Sequence, residues 1–396
     1  MAVQDNQQQP QQVLGRDLRQ LDELGAGLTA REIAQQAAVW PQIDAQIAQQ
    51  RSAIDAFLAP LLARADLRIV LAGAGTSAFI GECLAPALLR QGRRAEALPT
   101  TNLVSGPGHT FQRAVPTLMV SFGRSGSSPE SVAALELADQ MVDEIYHLVI
   151  TCNEAGQLYR MTQGRANALA ILLPDATHDR GFAMTTSFTS MLLAAALALR
   201  ALDTGVGALL GAAAAQAAPR AQPLLEELVQ QGFQRVVYLG SNALCGLARE
   251  AALKLLELSD GQVVALFDSP LGFRHGPKTI VDSRTLVVLL LSNDPHARRY
   301  DLDLLRELQG DSRAGRVLAL SAADDCGDFV FDGLQGAPDT ALALPYIVFC
   351  QSFALLQSLA LGLRPDTPSV SGTVNRVVRG VTIYPFESEG EHVPRG

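Results

Sequence analysis

Short apolar runs alternate with longer segments of helical periodicity along most of this chain. In the first half, apolar runs at 67–73, 117–123, 147–152 and 168–174 are interleaved with helical segments at about 78–91 and 129–138. An apolar helix predicted at about 187–202 closes this half. Strands that alternate with helices form parallel sheets that helices cover on both faces. The pattern therefore predicts an α/β fold.

The second half of the chain repeats this scheme after a segment rich in alanine and glycine. Apolar runs lie at 235–240, 285–292 and 316–321, and a last helix is predicted at about 345–361. At an offset of 165 residues, Gly75 aligns with Gly240 and Ala78 with Ala243, each near the end of the first strand of its half. A match in the same topological position indicates a duplicated α/β unit.

Five segments follow from these patterns. We predict an N-terminal arm with helices at 1–48, α/β domains at 49–204 and 221–364, a linker at 205–220 and a C-terminal tail at 365–396. A length of 396 residues fits two domains. The tail is rich in proline, glycine and serine, and we expect it to wrap back over the body.

The composition of the chain excludes several functional classes. The net charge is −9 and no run rich in lysine or arginine occurs, so nucleic acid is not expected as a partner. No apolar run reaches the roughly 18 residues that span a bilayer, so no membrane partner is expected. The five cysteines are scattered without a Cys-x-x-Cys pair, which argues against a zinc site and for reduced thiols in a cytoplasm.

Two loops rich in glycine and hydroxyl groups follow predicted strands and open predicted helices. Backbone N–H groups and a helix dipole at such a position bind anions, and small residues let a phosphate approach the backbone closely. Serine and threonine hydroxyls and the charge of Arg124 add to this capacity. The candidate sugar- and phosphate-binding residues are Gly75, Thr76, Ser77, Gly123, Arg124, Ser125, Ser127 and Ser128.

Other interpretations of these loops stay open at this point. Gly73-x-Gly75-x-x-Ala78 fits a dinucleotide-binding fingerprint, with Glu96 about 20 residues further on. A dinucleotide site has no need of the second, serine-rich loop, whereas a phosphomonoester does. Ordinary turns and helix caps also favour serine, threonine and glycine.

A third hydroxyl cluster opens the helix that ends the first half. It contains Thr186 and Ser187. Helix capping explains one or two of its hydroxyls, and the others are candidates to line a polar pocket.

The stretch from 249 to 279 carries the strongest candidate for proton chemistry. Glu250, Lys254 and Glu257 are spaced by four and then three residues, so they share one face of a helix. His275 follows on a loop punctuated by glycine and proline. A base, a cation and a proton carrier active at neutral pH suit proton transfer next to a sugar carbonyl. The plainer interpretation is a solvated helix face with an internal ion pair.

In this order, the segments GAGTS, SFGRSGSSPES, TTSFT, AREAALKLLEL and LGFRHGPK resemble the tandem sugar isomerase (SIS) domain family. The resemblance covers about residues 20–385. SPLGFRHGPK, DLDLL and NRVVRGVTIY are similar to a group of galactosamine-6-phosphate deaminases and tagatose-6-phosphate ketose/aldose isomerases. The resemblance implies two tandem SIS domains, each a parallel sheet flanked by helices, and a phosphorylated amino sugar as substrate.

The resemblance also implies residue roles. Phosphate would bind to the 123–128 loop, chiefly through Ser125 and Ser128. Glu257 would move a proton between C1 and C2 of the sugar, with Lys254 and Glu250 as neighbours on its helix face.

Two further roles concern residues outside that helix. His275 would open the sugar ring from the neighbouring subunit, which implies a homodimer or a larger homo-oligomer. Arg379 stands where related synthases carry a C-terminal lysine. An arginine stays protonated, so amination of the synthase type is not expected.

Deamination of galactosamine 6-phosphate to tagatose 6-phosphate and ammonia is the reaction that the resemblance favours. The same proton transfer in a 2-hydroxy sugar gives aldose–ketose isomerisation of unaminated hexose 6-phosphates, and this alternative stays open. A non-catalytic sugar-phosphate-binding regulator is the alternative from another functional class. No metal or redox cofactor is expected.

Overall fold

The computed structural model of the protein describes residues 12–323, 326–378 and 380–386. A short antiparallel pair, β1 (Gln12–Val13) and β2 (Arg16–Asp17), precedes helices α1 (Leu18–Glu23) and α2 (Gly27–Leu62). The domain boundary predicted at 48–49 lies inside α2, so one continuous helix joins the N-terminal region to the first α/β unit.

The first half of the chain forms a five-stranded parallel sheet in the order β4-β3-β5-β6-β7. The central strands β3 and β5 are buried along their whole length, as expected for a parallel sheet between helices. Its strands are β3 (Arg68–Gly73), β4 (Arg94–Pro99), β5 (Thr117–Gly123), β6 (Ile145–Thr151) and β7 (Ala168–Leu172). Its helices are α3 (Thr76–Arg90), α4 (Thr100–Ser105), α5 (Pro107–Thr110), α6 (Pro129–Met141), α7 (Gln157–Thr162) and, after a 3₁₀ turn at Asp175–Thr177, α8 (Thr186–Ala198).

The second half forms another five-stranded parallel sheet, in the order β12-β11-β10-β8-β9. Its strands are β8 (Arg235–Gly240), β9 (Val264–Asp268), β10 (Thr285–Leu290), β11 (Arg316–Ser321) and β12 (Phe329–Val330). Its helices are α9 (Val206–Gln230), α10 (Ala243–Leu258), α11 (Pro270–Phe273), α12 (Pro295–Asp311) and α13 (Asp339–Ala360), with a 3₁₀ turn at Pro277–Ile280.

The two sheets have the same topology. In each, the first strand of the unit lies between the second and the third, and the fourth and fifth follow at the far edge. This equivalence confirms two tandem α/β units, which the sequence pattern predicted. The expected architecture of two tandem domains, each a parallel sheet flanked by helices, is therefore the observed one.

The register of the repeat differs from the sequence alignment by two residues. The first strand ends at Gly73 in one unit and at Gly240 in the other, and 240 − 73 gives an offset of 167 rather than 165. A Cβ on Gly73 would lie 2.4 Å from the carbonyl carbon of Ser77, and one on Gly240 would lie 2.4 Å from the carbonyl oxygen of Leu244. Both positions need glycine because the following helix passes so close to the strand end.

Helices from both halves share one hydrophobic core. α2 packs against α8 and α9, α10 against α13, and α3 against α10. Every residue of α8 is buried. The contact between α3 and α10 brings a helix of the second half close to the strand ends of the first sheet.

The segment predicted as a linker at 205–220 is the first part of α9. Alanine is the strongest helix former, and Pro219 and Pro223 are accommodated within the helix. Because α9 packs against α2 and α13, the connection between the two units is a core helix.

Among the described residues, α13 is the one helix long and apolar enough to cross a membrane. Its most apolar window is 89% buried inside the protein. α13 is therefore a core helix of the second unit.

Candidate active site

A pocket with a volume of about 260 Å³ lies at the carboxyl ends of β3 and β5. In open parallel sheets this edge is where ligands bind. The two predicted loops and one carboxylate of α10 meet there. Its lining includes Gly75, Thr76, Ser77, Gly123, Arg124, Ser125, Gly126, Ser128, Glu130, Ser131, Phe182, Met184, Leu253, Glu257 and residues 374–378.

A larger cavity, of about 920 Å³, lies between α4, α5 and residues 381–386. None of the predicted site residues lines it. Size alone therefore does not identify the site, and the convergence of polar groups favours the smaller pocket.

The first loop connects the pocket to the buried face of α10. Gly75 has a φ of +54°, a conformation that glycine adopts without strain. Thr76 follows as the first residue of α3, and its hydroxyl lies 3.0 Å from Lys254 Nζ and 3.3 Å from Glu250 Oε1. One face of Thr76 thus lines the pocket while its hydroxyl contacts the charged residues of the second unit.

The second loop opens α6 without a side-chain cap. Ser128 precedes the helix, but its hydroxyl donates to Ser131 Oγ at 2.6 Å and caps no N–H group. Pro129 has no N–H and the Ser131 N–H donates to the Ser128 carbonyl at 3.1 Å, so Glu130 carries the first-turn N–H that faces outward. Gly126, with a φ of +62°, turns the chain into this helix. An uncapped helix start with hydroxyls beside it is an anion-binding arrangement.

Ser127 points away from the pocket, although it belongs to the same loop. Its hydroxyl accepts a hydrogen bond from the Gln157 N–H at 3.1 Å, toward α7, and Ser127 does not line the cavity. Ser125 and Ser128 do line it, so only part of the predicted serine set reaches the pocket.

Arg124 forms a buried, positively charged part of the wall. Its Nη1 donates to the Phe182 carbonyl at 3.3 Å and its Nη2 to the Arg376 carbonyl at 2.7 Å. Burial, and then the neighbouring Arg376, lower the pKa of the Arg124 guanidinium, although arginine stays protonated in proteins. With two nitrogens engaged by carbonyls, Arg124 acts on an anion mainly through its charge.

The predicted face of α10 forms as its spacing indicated. Lys254 Nζ lies 2.5 Å from Glu257 Oε2 and 3.5 Å from Glu250 Oε1. Lys254 and Glu250 are completely buried, whereas the Glu257 side chain is 25% exposed and lines the pocket. The solvated-face interpretation is therefore wrong for this helix, and Glu257 is the member of the trio that can touch a ligand.

Burial shifts the pKa of Glu250, whereas neighbouring acidic groups outweigh burial for Lys254. Burial raises the pKa of Glu250 to about 8, and Oε2 of that carboxyl has no hydrogen-bond partner. Burial acts to lower the pKa of Lys254, but the carboxylates of Glu250 and Glu257 outweigh it, so the pKa lies above its ordinary value. Lys254 is therefore a buried cation held by its two acidic neighbours.

Thr186 and Ser187 lie away from the pocket lining. The Thr186 hydroxyl donates to the Glu32 carbonyl at 2.6 Å, and the Ser187 hydroxyl donates to the Asp179 carboxylate at 2.5 Å. Asp179 also accepts from the N–H groups of Thr185, Thr186 and Ser187 and so caps α8. The structure gives these two hydroxyls a buried role in starting the helix.

His275 is exposed and does not line the pocket of its own chain. Ion pairs on both sides fix its loop to α12. Arg274 Nη2 lies 2.7 Å from Glu307 Oε2, and Lys278 Nζ lies 2.5 Å from Asp311 Oδ2. Arg379, the last predicted site residue, lies outside the described residues.

The sequence interpretation missed several residues of the pocket wall. These are Glu130, Ser131, Phe182, Met184, Leu253 and residues 374–378. Glu130 and Ser131 lie in the first turn of α6, just after the predicted loop. A prediction that included the whole helix start would have contained them. The contribution of 374–378 carried only a weak signal, namely the expectation that the tail wraps over the body.

The helix start of the second unit that corresponds to α6 is capped by a side chain. Asp294 precedes α12, and its carboxylate accepts from the N–H groups of His296 at 2.9 Å and Ala297 at 3.1 Å. A carboxylate already occupies the position beside this helix start, so the start of α12 is not open to an external anion in the way that the start of α6 is.

The chain is similar to known proteins along nearly its whole length. The model of the SIS domain matches residues 61–201. The D-galactosamine-6-phosphate deaminase AgaS of Escherichia coli is 48% identical over 376 residues, which cover 91% of this chain and 96% of that relative. The protein of the same name from Shewanella sp. strain ANA-3 is 44% identical over 378 residues, covering 93% and 94%.

A solved structure extends this likeness to the fold. The crystal structure of tagatose-6-phosphate ketose/aldose isomerase from Escherichia coli matches with a TM-score of 0.82 at 43% identity. The match covers 91% of this chain and 97% of that chain.

Proposed function

The chain belongs to the SIS domain family, and from this premise we propose that it converts D-galactosamine 6-phosphate and water to tagatose 6-phosphate and ammonia. Relatives that are 44% and 48% identical to it are named D-galactosamine-6-phosphate deaminase. The observation that carries the proposal is the position of Glu257, whose carboxylate lines the same pocket as the open start of α6 while contacting buried Lys254.

Phosphate binding comes first in this mechanism. The Glu130 N–H at the start of α6 and the hydroxyls of Ser125 and Ser128 receive the phosphate, and the buried charge of Arg124 favours the anion. Gly75, Thr76 and Ser77 line the sugar side of the same pocket. Binding energy from the phosphate then holds C1 and C2 near Glu257, although the phosphate itself does not react.

Proton transfer follows in the open-chain sugar. Glu257 removes the proton from C2 and returns it to C1, while the C2 amine loses one proton and the aldehyde oxygen at C1 gains one and becomes a hydroxyl. Lys254, 2.5 Å from Glu257 Oε2, holds the carboxylate in place and offsets negative charge that develops beside it. The product of this step is a ketimine at C2.

Hydrolysis completes the reaction. Water adds to C2 of the ketimine and ammonia leaves, which gives tagatose 6-phosphate. Carbon, nitrogen and charge balance with one water consumed for each ammonia released. Every proton movement in this sequence is within the capacity of carboxyl, imidazole and water groups.

Ring opening is assigned to His275 of a second subunit. His275 is exposed, and the edge strand β9 carries an exposed apolar surface on which Val264, Leu266 and Phe267 are between 38% and 47% exposed. Parallel strands are normally covered on both faces, so this surface is suited to a second copy of the chain. A homodimer of this kind would bring one subunit's His275 to the other subunit's pocket.

The cytoplasm is the proposed location. Cys83, Cys152, Cys245 and Cys350 are free, and three of these four are buried as small apolar side chains. Free thiols are typical of a reducing compartment.

Ammonia release is the direct test of the proposed reaction. Galactosamine 6-phosphate is compared with glucosamine 6-phosphate and N-acetylgalactosamine 6-phosphate in the same assay. We expect ammonia and tagatose 6-phosphate in equal amounts from the first substrate. No ammonia from either free amino sugar would contradict the proposal.

Aldose–ketose isomerisation of hexose 6-phosphates is the second candidate, because the structural relative at 43% identity is named a tagatose-6-phosphate ketose/aldose isomerase. The same base would act on a 2-hydroxy sugar. Interconversion of hexose 6-phosphates without ammonia release would favour it. Binding of sugar phosphates without either reaction would favour a regulator.

A further inference from the structure

One wall of the pocket comes from the end of the chain, far in sequence from the other lining residues. Residues 374–378 lie across the cavity beside the start of α6. Two side chains of this stretch, Val374 and Val378, are 58% and 53% exposed and therefore bury little apolar surface there. Apolar contact alone is a weak means of holding this wall.

Arg376 connects this wall to the rest of the chain through three polar contacts. Its Nε donates to the Gly181 carbonyl at 3.0 Å, and its Nη2 donates to the Asp179 carbonyl. Its own carbonyl accepts from Arg124 Nη2 at 2.7 Å. Arg376 thus joins three segments, namely the C-terminal wall, the loop before α8 and the phosphate loop.

The loop whose carbonyls accept hydrogen bonds from Arg376 also donates hydrogen bonds to carboxylates through its N–H groups. Glu32 accepts from the N–H groups of Arg180 at 2.5 Å and Gly181 at 3.0 Å, and the Asp179 carboxylate is buried below the start of α8. The N–H groups of this loop therefore face carboxylates, whereas its carbonyls face the guanidinium groups of Arg376 and Arg124. Both sets of contacts strengthen the peptide dipoles in the same direction.

We propose that Arg376 is a positioning residue, which docks the C-terminal segment 374–378 onto the pocket and orients Arg124 through its own carbonyl. The proposal rests on the proposed function in assigning a sugar phosphate to this pocket. Arg376 acts through Arg124 and through the shape of the wall. A planar guanidinium reaches two carbonyls at once, whereas a lysine ammonium is a single point charge.

Two variants test this role, Arg376→Ala and Arg376→Lys. We expect the KM for the sugar phosphate to rise at least about ten-fold in both, because the charged contacts to the loop are lost, with a smaller change in kcat. Ethylguanidinium added to the alanine variant should lower its KM again. Arg364→Ala is the matched control, because Arg364 is an exposed arginine of the same C-terminal region outside the pocket lining.

Digestion with elastase measures docking without any turnover. Elastase cleaves after small apolar residues such as Val374 and Val378, and we expect faster cleavage there in both Arg376 variants than in the wild type and in Arg364→Ala. The cleavage rate reports on docking even if the protein deaminates no substrate. Failure of the proposed reaction and failure of docking therefore give different results.

Specific outcomes would overturn the docking role. Equal cleavage rates in the wild type and the variants contradict it, as does an unchanged KM in Arg376→Ala. Should the alanine variant fail to fold, Arg376→Lys keeps a charge and a long stem, and a wild-type KM in that variant would contradict the need for a guanidinium.

Discussion

At the scale of single residues, the site depends on a lysine that has no access to water. An isolated buried ammonium would lose its proton, because transfer out of water disfavours the charged form. Lys254 keeps its charge because Glu257 and Glu250 lie 2.5 Å and 3.5 Å from Nζ and Thr76 accepts a hydrogen bond at 3.0 Å. The acid that reaches the pocket is therefore tied to a fixed cation.

Replacement of Glu257 by glutamine removes the proposed base with little change in shape. We expect kcat for ammonia release to fall by about 10²–10⁴, the usual contribution of general base catalysis, while the sugar phosphate still binds. Exchange of the C2 proton with deuterated water should fall in parallel. Glu136→Gln, on the exposed side of α6, is the matched control. An active Glu257→Gln enzyme would move the base to another group.

The raised pKa of Glu250 predicts a pH-dependent stability. In the folded protein its pKa is about 8 against an ordinary value of 4.5, because burial favours the neutral form. Its stabilising effect is complete below the ordinary value and is lost as the pH rises through about 8, with a slope of at most about 1.4 kcal/mol per pH unit for one proton.

Thermal unfolding between roughly pH 5 and 9 checks this linkage. We expect the melting temperature of the wild type to fall as the pH rises, and the fall to be smaller in Glu250→Gln. Glu32 also has a pKa raised to about 8, by burial and by Asp179, so part of the slope should remain. A variant with the full wild-type slope would exclude Glu250 as a source of it.

At the scale of elements, three helices differ in whether a side chain caps their first N–H groups. α8 begins on the Asp179 carboxylate and α12 on the Asp294 carboxylate, whereas α6 begins without a side-chain cap. Capped starts have satisfied their N–H groups internally. The open start of α6 is the one of the three that is free to receive an external anion.

The serines of the 125–128 loop should contribute unequally to phosphate binding, because only some of them face the pocket. Ser125→Ala and Ser128→Ala should each raise the KM for the sugar phosphate by about ten-fold, because a hydrogen bond to a charged group is lost, and should change kcat less. Ser127→Ala is the matched comparison, since its hydroxyl faces α7 rather than the pocket, and its effect should be much smaller. Initial rates at several substrate concentrations measure all three. Equal effects of all three changes would contradict the observed orientation.

Local periodicity explains which elements the sequence could predict. The shared face of Glu250, Lys254 and Glu257 depends on the repeat of a single helix, and the spacing alone was enough to predict it. The strand-loop-helix order likewise placed Ser125 at the end of a strand. Each of these features involves residues close together in the chain.

Contacts between residues far apart in the sequence could not be predicted from such local patterns. Arg376 meets the Gly181 carbonyl across 195 residues, and no local repeat marks either partner. The two-residue error in the repeat arose because small residues are frequent near Gly73 and Gly240, so identities matched without the close contact that fixes the true register. The sequence also left the Ser187 hydroxyl as a candidate to line a pocket. Its hydrogen-bond partner, Asp179, lies before the helix, and no local pattern marks that contact.

At the scale of the whole molecule, the proposed site is divided between units and between subunits. The first α/β unit supplies the phosphate loop, and α10 of the second unit supplies Glu257 through its contact with α3. His275 lies on the outside of its own chain. In the proposed mechanism a complete site requires a second copy, and this requirement can be tested without a structure of the dimer.

Mixing two inactive variants tests the divided site. Glu257→Gln and His275→Ala should each have little activity alone, but co-expressed subunits form mixed dimers in which one site has both wild-type groups. With random pairing, half of the dimers are mixed and each has one intact site, so about a quarter of the wild-type activity should return. If His275 instead acted within its own chain, every site of a mixed dimer would lack one group and no activity would return.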